Sequence, residues 1–192
     1  MNNFVVACIV LISLQACKKS NSALSSPQRA GFITYTILAN NHFSDKANYQ
    51  PFSKGELTFK VIFDSSAIYQ SVIPENQYDV NKLFGFSEGN DHHLNSARIG
   101  WAWNKNALRL YAYAYVNGER KIRELATVDI EKEIYCAIAV VGNEYVFSAG
   151  QGSISFARSA PGNYIPGYML YPYFGGDETA PHEIRIRIHQ LN

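Results

Sequence analysis

The chain has little of what marks several common classes of protein. Its 192 residues carry a formal net charge of +1, from 17 Lys and Arg against 16 Asp and Glu. A chain without a cluster of Lys and Arg attracts the phosphate backbone only weakly, so we expect no nucleic-acid binding. Charged residues form only 17% of the sequence, whereas 47% of the residues are hydrophobic. A chain of this apolar content can bury a core, which excludes an intrinsically disordered tail.

Long apolar runs are also scarce. The longest, Phe4 to Leu14, lacks charge, but it is much shorter than the roughly 20 residues that span a bilayer as a helix. Its length is typical of the apolar region of a secretory signal. The run ends in Leu14-Gln15-Ala16-Cys17, which resembles the bacterial lipobox. That resemblance implies cleavage before Cys17 and a diacylglycerol on its thiol. The alternatives are an ordinary cleaved signal with an incidental Cys, or a buried N-terminal strand.

The lipobox resemblance implies a layout for the whole chain. Residues 1–16 would be a signal peptide, residues 17–30 a lipidated flexible tether rich in Ser, Asn and Lys, and residues 31–192 the folded domain. The membrane would then be a partner through the lipid on Cys17. Lys18 follows in place of the Asp that retains some lipoproteins in an inner membrane. We therefore expect a lipid-anchored protein of the bacterial cell envelope, with the outer membrane favoured.

Cysteines are few, and they predict no internal disulfide. The three are Cys8, Cys17 and Cys136. Cys8 would leave with the signal peptide and Cys17 would carry lipid, so Cys136 would stand alone in the mature domain. Its apolar, strand-like surroundings favour a small core residue over a reactive nucleophile.

Residues from Phe32 onward show the pattern of a β-rich domain. Short segments of β-forming residues recur between turn signals such as Asn117-Gly118 and Gly142-Asn143, and no helical period lasts three turns. The predicted strands are Phe32–Leu38, Glu56–Asp64, Lys82–Ser87, Ala97–Trp103, Ala107–Val116, Lys121–Val128, Glu133–Val141, Glu144–Ser148, Ser153–Ala157, Tyr168–Phe174 and His182–His189. About eleven short strands at this spacing predict an all-β antiparallel sandwich or barrel.

The order of these strands resembles a known architecture. The segments that show the resemblance are Phe59-x-Val61-x-Phe63-Asp64, Asn95–Trp101, the strand pair around Ile134–Val140 and Tyr145–Phe147, and the closing strand His182–His189. Their layout over residues 31–192 is similar to the two-sheet jelly roll of concanavalin A-like and laminin-G-type domains. Carbohydrate-binding modules, polysaccharide lyases and glycosidases share that sandwich. The resemblance implies a glycan bound on one sheet or at the loop rim.

A row of aromatic residues on one predicted strand is the first candidate ligand face. In Ala107–Val116, Arg109, Tyr111, Tyr113 and Tyr115 alternate with apolar residues and share one face. Flat Tyr rings can pack on the apolar C–H faces of sugars, and the planar guanidinium of Arg can donate hydrogen bonds to sugar hydroxyls. We predict that these four residues, with Arg98, bind a carbohydrate. Ordinary sheet packing is the alternative, because Tyr is favoured in strands.

The polar segment before the strand at Ala97 is the second candidate. If the protein is a polysaccharide lyase, His92 or His93 with Arg98 and Tyr113 could neutralise a uronate carboxylate and move its C5 proton. The alternative is a polar loop with Arg98 in a structural network. Neighbouring His residues on a strand point to opposite faces, so we predict no metal site there.

Acidic residues provide two weaker candidates. Asp129, Glu131 and Glu133 alternate like the paired carboxylates of glycosidases, but they fall between two predicted strands, where a solvated turn is expected. Asp177 and Glu178 are candidate ligands of a structural Ca²⁺. No other cofactor is predicted, because phosphate-binding glycine loops are absent from the sequence.

Three functions remain open at this point. The first is a lipid-anchored envelope protein that binds carbohydrate or polysaccharide through an aromatic and basic sheet face. The second is a polysaccharide lyase or glycoside hydrolase on the same scaffold. The third is a structural or protein-interaction lipoprotein without catalysis. The residues do not decide whether the protein is an enzyme, although binding is favoured.

Overall fold

Alternating apolar and polar residues build the strands of this protein. A computed structural model describes residues 30–159 and 162–192. The strands are β1 (Ile33–Ile37), β2 (Pro51–Phe52), β3 (Glu56–Phe63), β4 (Asn81–Ser87), β5 (Ser96–Asn104), β6 (Ala107–Val116), β7 (Glu119–Val128), β8 (Ile134–Val141), β9 (Glu144–Ala149), β10 (Gly152–Ala157), β11 (Gly167–Leu170) and β12 (Ile184–Gln190). Short 3₁₀ turns at Ser65–Ala67 and Pro74–Tyr78 lie between β3 and β4.

Two antiparallel sheets of six strands face each other. One has the order β1-β12-β3-β8-β9-β10, and the other has the order β2-β11-β4-β5-β6-β7. This confirms the predicted all-β, two-sheet jelly-roll sandwich. We call the second sheet the β4–β7 sheet, because its four long central and edge strands carry the candidate site. Among the described residues, no helix is long and apolar enough to cross a membrane.

The core lies between the inner faces of the two sheets. Ile184, Ile186 and Ile188 of β12 are buried, whereas Arg185 points outward, because successive side chains of a strand point to opposite faces. Large rings dominate the interior, and Trp101 of β5 is fully buried against Phe63 of β3. The predicted alternation of β6 is confirmed, because its apolar series lies in the core. Cys136 is buried and free, as predicted, and burial raises the pKa of its thiol.

The strands differ from the prediction at a few places. The two-residue strand β2 was missed, and β11 ends at Leu170 rather than at Phe174. Beyond β11, Tyr173 keeps only isolated bridges to Phe43 and Lys82. Strand β4 contains a bulge, since its register on β5 shifts between Lys82 and Phe84. A bulge turns the residues on either side of it to different faces, which matters for the site below.

Candidate functional site

A cleft of about 580 Å³ opens on the outer face of the β4–β7 sheet. Strands β4, β5, β6 and β11 form its floor, and the loop after β1 and the segment after β11 form its walls. Its lining residues are Phe43, Ala47, Asn48, Tyr49, Lys82, His92, His93, Arg98, Tyr113, Tyr115, Arg120, Tyr168, Met169, Leu170, Tyr171, Pro172, Tyr173 and Gly176. This volume lies in the range of small-molecule sites, about 300–1,000 Å³.

Arg98 forms the floor of the cleft. On β5 it alternates with the core residues Ala97 and Ile99, so its side chain points to the outer face. It lies between Gly85 on β4 and Tyr113 on β6 in the sheet register. A Cβ at Gly85 would lie 2.2 Å from the carbonyl oxygen of Ala97 and 2.6 Å from the Arg98 Cα. The glycine therefore permits the close approach of β4 and β5 beneath the guanidinium.

The Arg98 guanidinium is buried without a counter-charge. The residue is only 7% exposed, and its Nε has no hydrogen-bond partner. No carboxylate of the described residues forms an ion pair with it. Burial lowers the pKa of the guanidinium, while the nearby hydroxyls of Tyr113, Tyr115 and Tyr168 act in the opposite direction. Buried charges in proteins are normally paired, so this arrangement is costly to the free protein.

A second buried arginine, Arg158, has the charged and polar partners that buried cations normally have. The Arg158 side chain is fully buried, and it forms an ion pair with Glu88. It also donates to the carbonyl oxygens of Gly142 and Gly162, at 2.7 and 2.9 Å. Tyr145 donates its hydroxyl hydrogen to the same carboxylate at 2.5 Å. Arg158 therefore has the partners that Arg98 lacks.

Two tyrosines of β6 stand beside Arg98. The rings of Tyr113 and Tyr115 lie 5.9 Å apart, and Tyr115 meets the ring of His93 edge-on at 5.3 Å. Burial, together with the neighbouring Tyr115, raises the pKa of Tyr113 to about 12. The Tyr113 hydroxyl therefore keeps its proton at neutral pH and can donate a hydrogen bond.

The adjacent histidines close one end of the cleft. His92 Nδ1 lies 2.8 Å from the hydroxyl of Tyr168, and the rings of His92 and His93 are 4.2 Å apart. Burial lowers the pKa of His92 to about 4, and repulsion from Arg98 contributes in the same direction. His92 is therefore neutral at pH 7. Contrary to simple strand alternation, the two histidines lie in a loop and both line the cleft.

Lys82 reaches the cleft from the other side. Its Nζ donates to the carbonyl oxygen of Gly175 at 2.6 Å and lies over the rings of Tyr113 and Tyr173. Burial lowers the pKa of Lys82 to about 8, with repulsion from Arg98 as the next cause. The bulge at Leu83 gives Lys82 this direction, because regular alternation would place it on the same face as the buried Phe84.

No Asp or Glu is among the described residues that line the cleft. The three acids considered for glycosidase chemistry lie elsewhere, in the connection between β7 and β8. Glu131 pairs with Arg187, and Glu133 pairs with Lys60 of the other sheet. The expected solvated turn is confirmed, and these carboxylates are not in the cleft.

The structure divides the predicted binding residues into two groups. Arg98, Tyr113 and Tyr115 line the cleft, together with both histidines of the lyase hypothesis. Arg109 and Tyr111 share the outer face but are absent from the lining. Arg109 instead pairs with Glu124 at 2.6 Å. The Tyr111 hydroxyl accepts a hydrogen bond from Asn104 at 3.2 Å.

Several aromatic residues of the cleft were not predicted from the sequence. Phe43 and Tyr49 stand at its mouth, where they are 68% and 75% exposed. Their rings contact Tyr173 and Tyr168 at 5.0 and 5.6 Å. Exposed large rings around a cleft are typical of a binding surface. The aromatic run Tyr171-Pro172-Tyr173-Phe174 is a signal for part of this wall, but its pattern predicted only the end of the strand Tyr168–Phe174.

Of the two candidate calcium ligands, Glu178 uses its carboxylate for other hydrogen bonds. Glu178 accepts backbone hydrogen bonds from Ile73 at 2.7 Å and Val72 at 2.8 Å, and these bonds lower the pKa of its carboxyl. It also accepts from the Asn76 amide at 2.9 Å, while the Asp177 backbone donates to Asp79. Among the described residues, no three His, Cys, Asp or Glu side chains gather as metal ligands. The predicted lipidation at Cys17 lies outside the described residues.

Comparison with known proteins places the fold in context. No family model matches the chain, and no curated protein matches it significantly. Solved structures do resemble it. A prokaryotic β-1,3-1,4-glucanase (lichenase) from a mouse hindgut metagenome has a TM-score of 0.51 at 14% identity, over 84% of this chain and 79% of that one. LamAcat from Zobellia galactanivorans has a TM-score of 0.53 at 7% identity, over 84% and 76%.

An uncharacterized protein from Mycobacterium paratuberculosis shows a similar match. Its TM-score is 0.53 at 11% identity, over 84% of this chain and 80% of that one. At these identities the similarities establish a shared sandwich fold. They do not transfer an activity, so the chemistry of the cleft must be argued from its own residues.

Proposed function

We propose that the protein binds carbohydrate in the cleft of the β4–β7 sheet. The observation that carries this proposal is the group of rings around one opening, with Tyr113, Tyr115 and Tyr168 on the floor and Tyr49 and Tyr173 on the walls. Tyr rings offer flat apolar faces for the C–H faces of sugars and hydroxyl groups for the sugar rim. The similarity to a glucanase structure supports the proposal at the level of fold.

A glycan array followed by calorimetry tests this function. Tyr115→Ala removes a half-buried ring from the floor, and we expect it to raise Kd roughly 2- to 10-fold, the value of one aromatic contact. Tyr111→Ala is the matched control, since Tyr111 lies on the same strand and the same outer face but outside the lining. Binding that is equally sensitive to both substitutions, or no binding across a broad panel, would refute the proposal. No binding would favour the structural envelope-protein alternative.

β-Elimination on a uronate polymer is a second candidate, because the lyase residues come together in the cleft. In that reaction Arg98 would hold the carboxylate, and neutral His92 would take the C5 proton. The electrons of the C5–H bond would form the C4–C5 double bond as the C4–O bond breaks, and protonated Tyr113 would supply the leaving oxygen with its proton. Hydrolysis by two carboxylates is less well supported, since no acid lines the cleft in the described residues.

Ultraviolet absorbance of the unsaturated product separates the lyase from the binder. Incubation of the protein with several polyuronates would give a rising signal if elimination occurs, and His92→Ala would abolish it. A flat signal with polymers that demonstrably bind would exclude the lyase and leave the binding function.

We also propose that Cys17 anchors the protein to the bacterial cell envelope through a lipid. The support is the Leu14-Gln15-Ala16-Cys17 motif at the end of a short apolar run. A Cys17→Ser variant should leave the membrane fraction in a bacterial host, and it should no longer incorporate labelled palmitate. A variant that stays in the membrane fraction would refute the anchor.

A further inference from the structure

We infer that the ligand is an acidic saccharide, and that its carboxylate or sulfate oxyanion sits against the guanidinium of Arg98. This inference rests on the proposed carbohydrate-binding function and specifies its substrate class. Its main support is the absence of a partner for Arg98, which is 7% exposed, with an orphaned Nε at the floor of the cleft.

The lack of any counter-charge separates Arg98 from the other described arginines with buried nitrogen atoms. The Nε of Arg109 also has no hydrogen-bond partner, but the guanidinium of Arg109 pairs with the Glu124 carboxylate at 2.6 Å. The other buried guanidinium, that of Arg158, has the Glu88 carboxylate and two carbonyl oxygens as partners. A buried cation without such partners destabilises the free protein, unless a bound anion offsets the cost. A neutral sugar would leave Arg98 uncompensated, whereas an oxyanion would supply the missing acceptor.

The charges around Arg98 favour the same ligand. Lys82 and the rim residue Arg120 add positive charge to the lining, and none of the described lining residues is acidic. The guanidinium is a planar fork that matches two oxygens of a carboxylate or a sulfate. The hydroxyl of Tyr113, which keeps its proton, adds a neutral donor beside the fork. The described lining residues therefore offer donors and positive charge. The nearby carboxylates of Asp79 and Asp91 act on Lys82 and His92 but do not line the cleft.

The aromatic rings of the cleft indicate what the ligand carries besides the oxyanion. Tyr115 and Tyr168 flank the guanidinium closely enough to interact with it electrostatically, and the exposed rings of Phe43 and Tyr49 continue the aromatic wall to the mouth. A free inorganic anion would use Arg98 but leave this wall unused. A sugar ring that carries its own oxyanion would use both, which is why we infer an acidic saccharide.

Calorimetry with matched oligosaccharides tests the inference. The probes are a uronate oligosaccharide, the same oligosaccharide after chemical reduction of its carboxyl groups, and a sulfated oligosaccharide. We expect one or both acidic probes to bind roughly 10- to 100-fold more tightly than the reduced one, the usual effect of charge-assisted hydrogen bonds. Preference between the uronate and the sulfated probe identifies the oxyanion.

Two variants make the test specific to the guanidinium. Arg98→Met should abolish the preference for acidic probes, while Arg98→Lys should keep the charge but lose most of the preference, because an ammonium lacks the planar fork. Arg109→Met is the matched control, since Arg109 lies on the same outer face but outside the lining. Thermal unfolding verifies that each variant is folded.

The outcomes separate this inference from the proposed function. Equal binding of acidic and reduced probes, unchanged in Arg98→Met, would overturn the inference and leave carbohydrate binding intact. No binding of any saccharide would overturn both. An acidic preference that persists in Arg98→Met but disappears in a variant of Lys82 or Arg120 would also overturn it, because the oxyanion would then sit elsewhere in the cleft.

Discussion

Replacing Arg98 by Met should make the unliganded protein more stable, which is unusual for a substitution at a site 7% exposed. Met is similar in length, flexible and apolar, so it fills the space of the Arg stem. The substitution removes a buried cation whose Nε has no partner. An unsatisfied buried polar group costs about 1–3 kcal/mol, and a charged one costs more. We therefore expect the free energy of unfolding to rise by about 1–3 kcal/mol.

Urea unfolding measures this directly, as a higher midpoint with an unchanged slope. For a domain of this size, each kcal/mol corresponds to about 2–4 °C in Tm. Arg158→Met is the matched control. Its guanidinium has the Glu88 carboxylate as partner, and removing one member of a buried pair destabilises by about 3–5 kcal/mol. The two substitutions should therefore shift the midpoint in opposite directions.

If the free energy of unfolding of unliganded Arg98→Met fell by more than about 1 kcal/mol, the reasoning would be refuted, since a buried unsatisfied group is expected to cost about that much or more. It would mean that the guanidinium already stabilises the free protein. An acidic ligand supplies a second check, because a ligand that binds the folded state raises its stability by mass action. Wild type should gain stability on addition of the ligand, and Arg98→Met should not.

The remaining predictions concern other parts of the fold. The pKa of His92 is lowered from 6.5 to about 4 in the folded state, so unfolding takes up a proton between these values and stability is lost as pH falls from about 6.5 to 4. In His92→Gln this pH dependence of the free energy of unfolding should vanish when urea unfolding is repeated between pH 4 and 6.5. An unchanged pH dependence would contradict the lowered pKa of His92. Gly85→Ala places a Cβ 2.2 Å from a backbone oxygen and should cost about 1–3 kcal/mol in chemical unfolding. Gly89→Ala meets no atom within 4 Å and should cost less, although its φ of 75° is unfavourable. Glu88→Gln leaves the cation of Arg158 uncompensated and should cost about 3–5 kcal/mol; a near-neutral result would show that the pair is dispensable.

The prediction of the fold from sequence succeeded where the pattern is local. All eleven predicted strands are present, since alternation of apolar and polar residues is dictated by the two faces of each strand. The strand β2 was missed because its two residues, Pro51 and Phe52, are too few to show an alternation. The strand at Tyr168 was predicted too long for a related reason. Tyr171 and Tyr173 have strand-like composition, but the chain leaves the sheet after Leu170.

The structure brings together those predicted site residues that share a strand face with an obvious pattern. Arg98, Tyr113 and Tyr115 lie in the cleft because β5 and β6 are neighbours, with Arg98 opposite Tyr113 in the register. The same pattern could not separate Tyr111 from its neighbours. Tyr111 shares their face, yet the cleft walls do not extend over it, and the position of those walls depends on distant segments.

The amino-acid sequence alone determined the strands, their buried faces and the outward phase of Arg98, because these follow from local alternation along the backbone. Tertiary structure decided which side chains meet. The bulge at Leu83 turned Lys82 into the cleft, and the segments after β1 and after β11 brought Tyr49 and Tyr173 over the β4–β7 sheet. Only the folded chain could show that Arg98 is buried without a carboxylate while Arg158 is paired with Glu88. Whether a buried charge has a partner depends on which residues, far apart in sequence, come close together in the fold. No local sequence pattern contains that information.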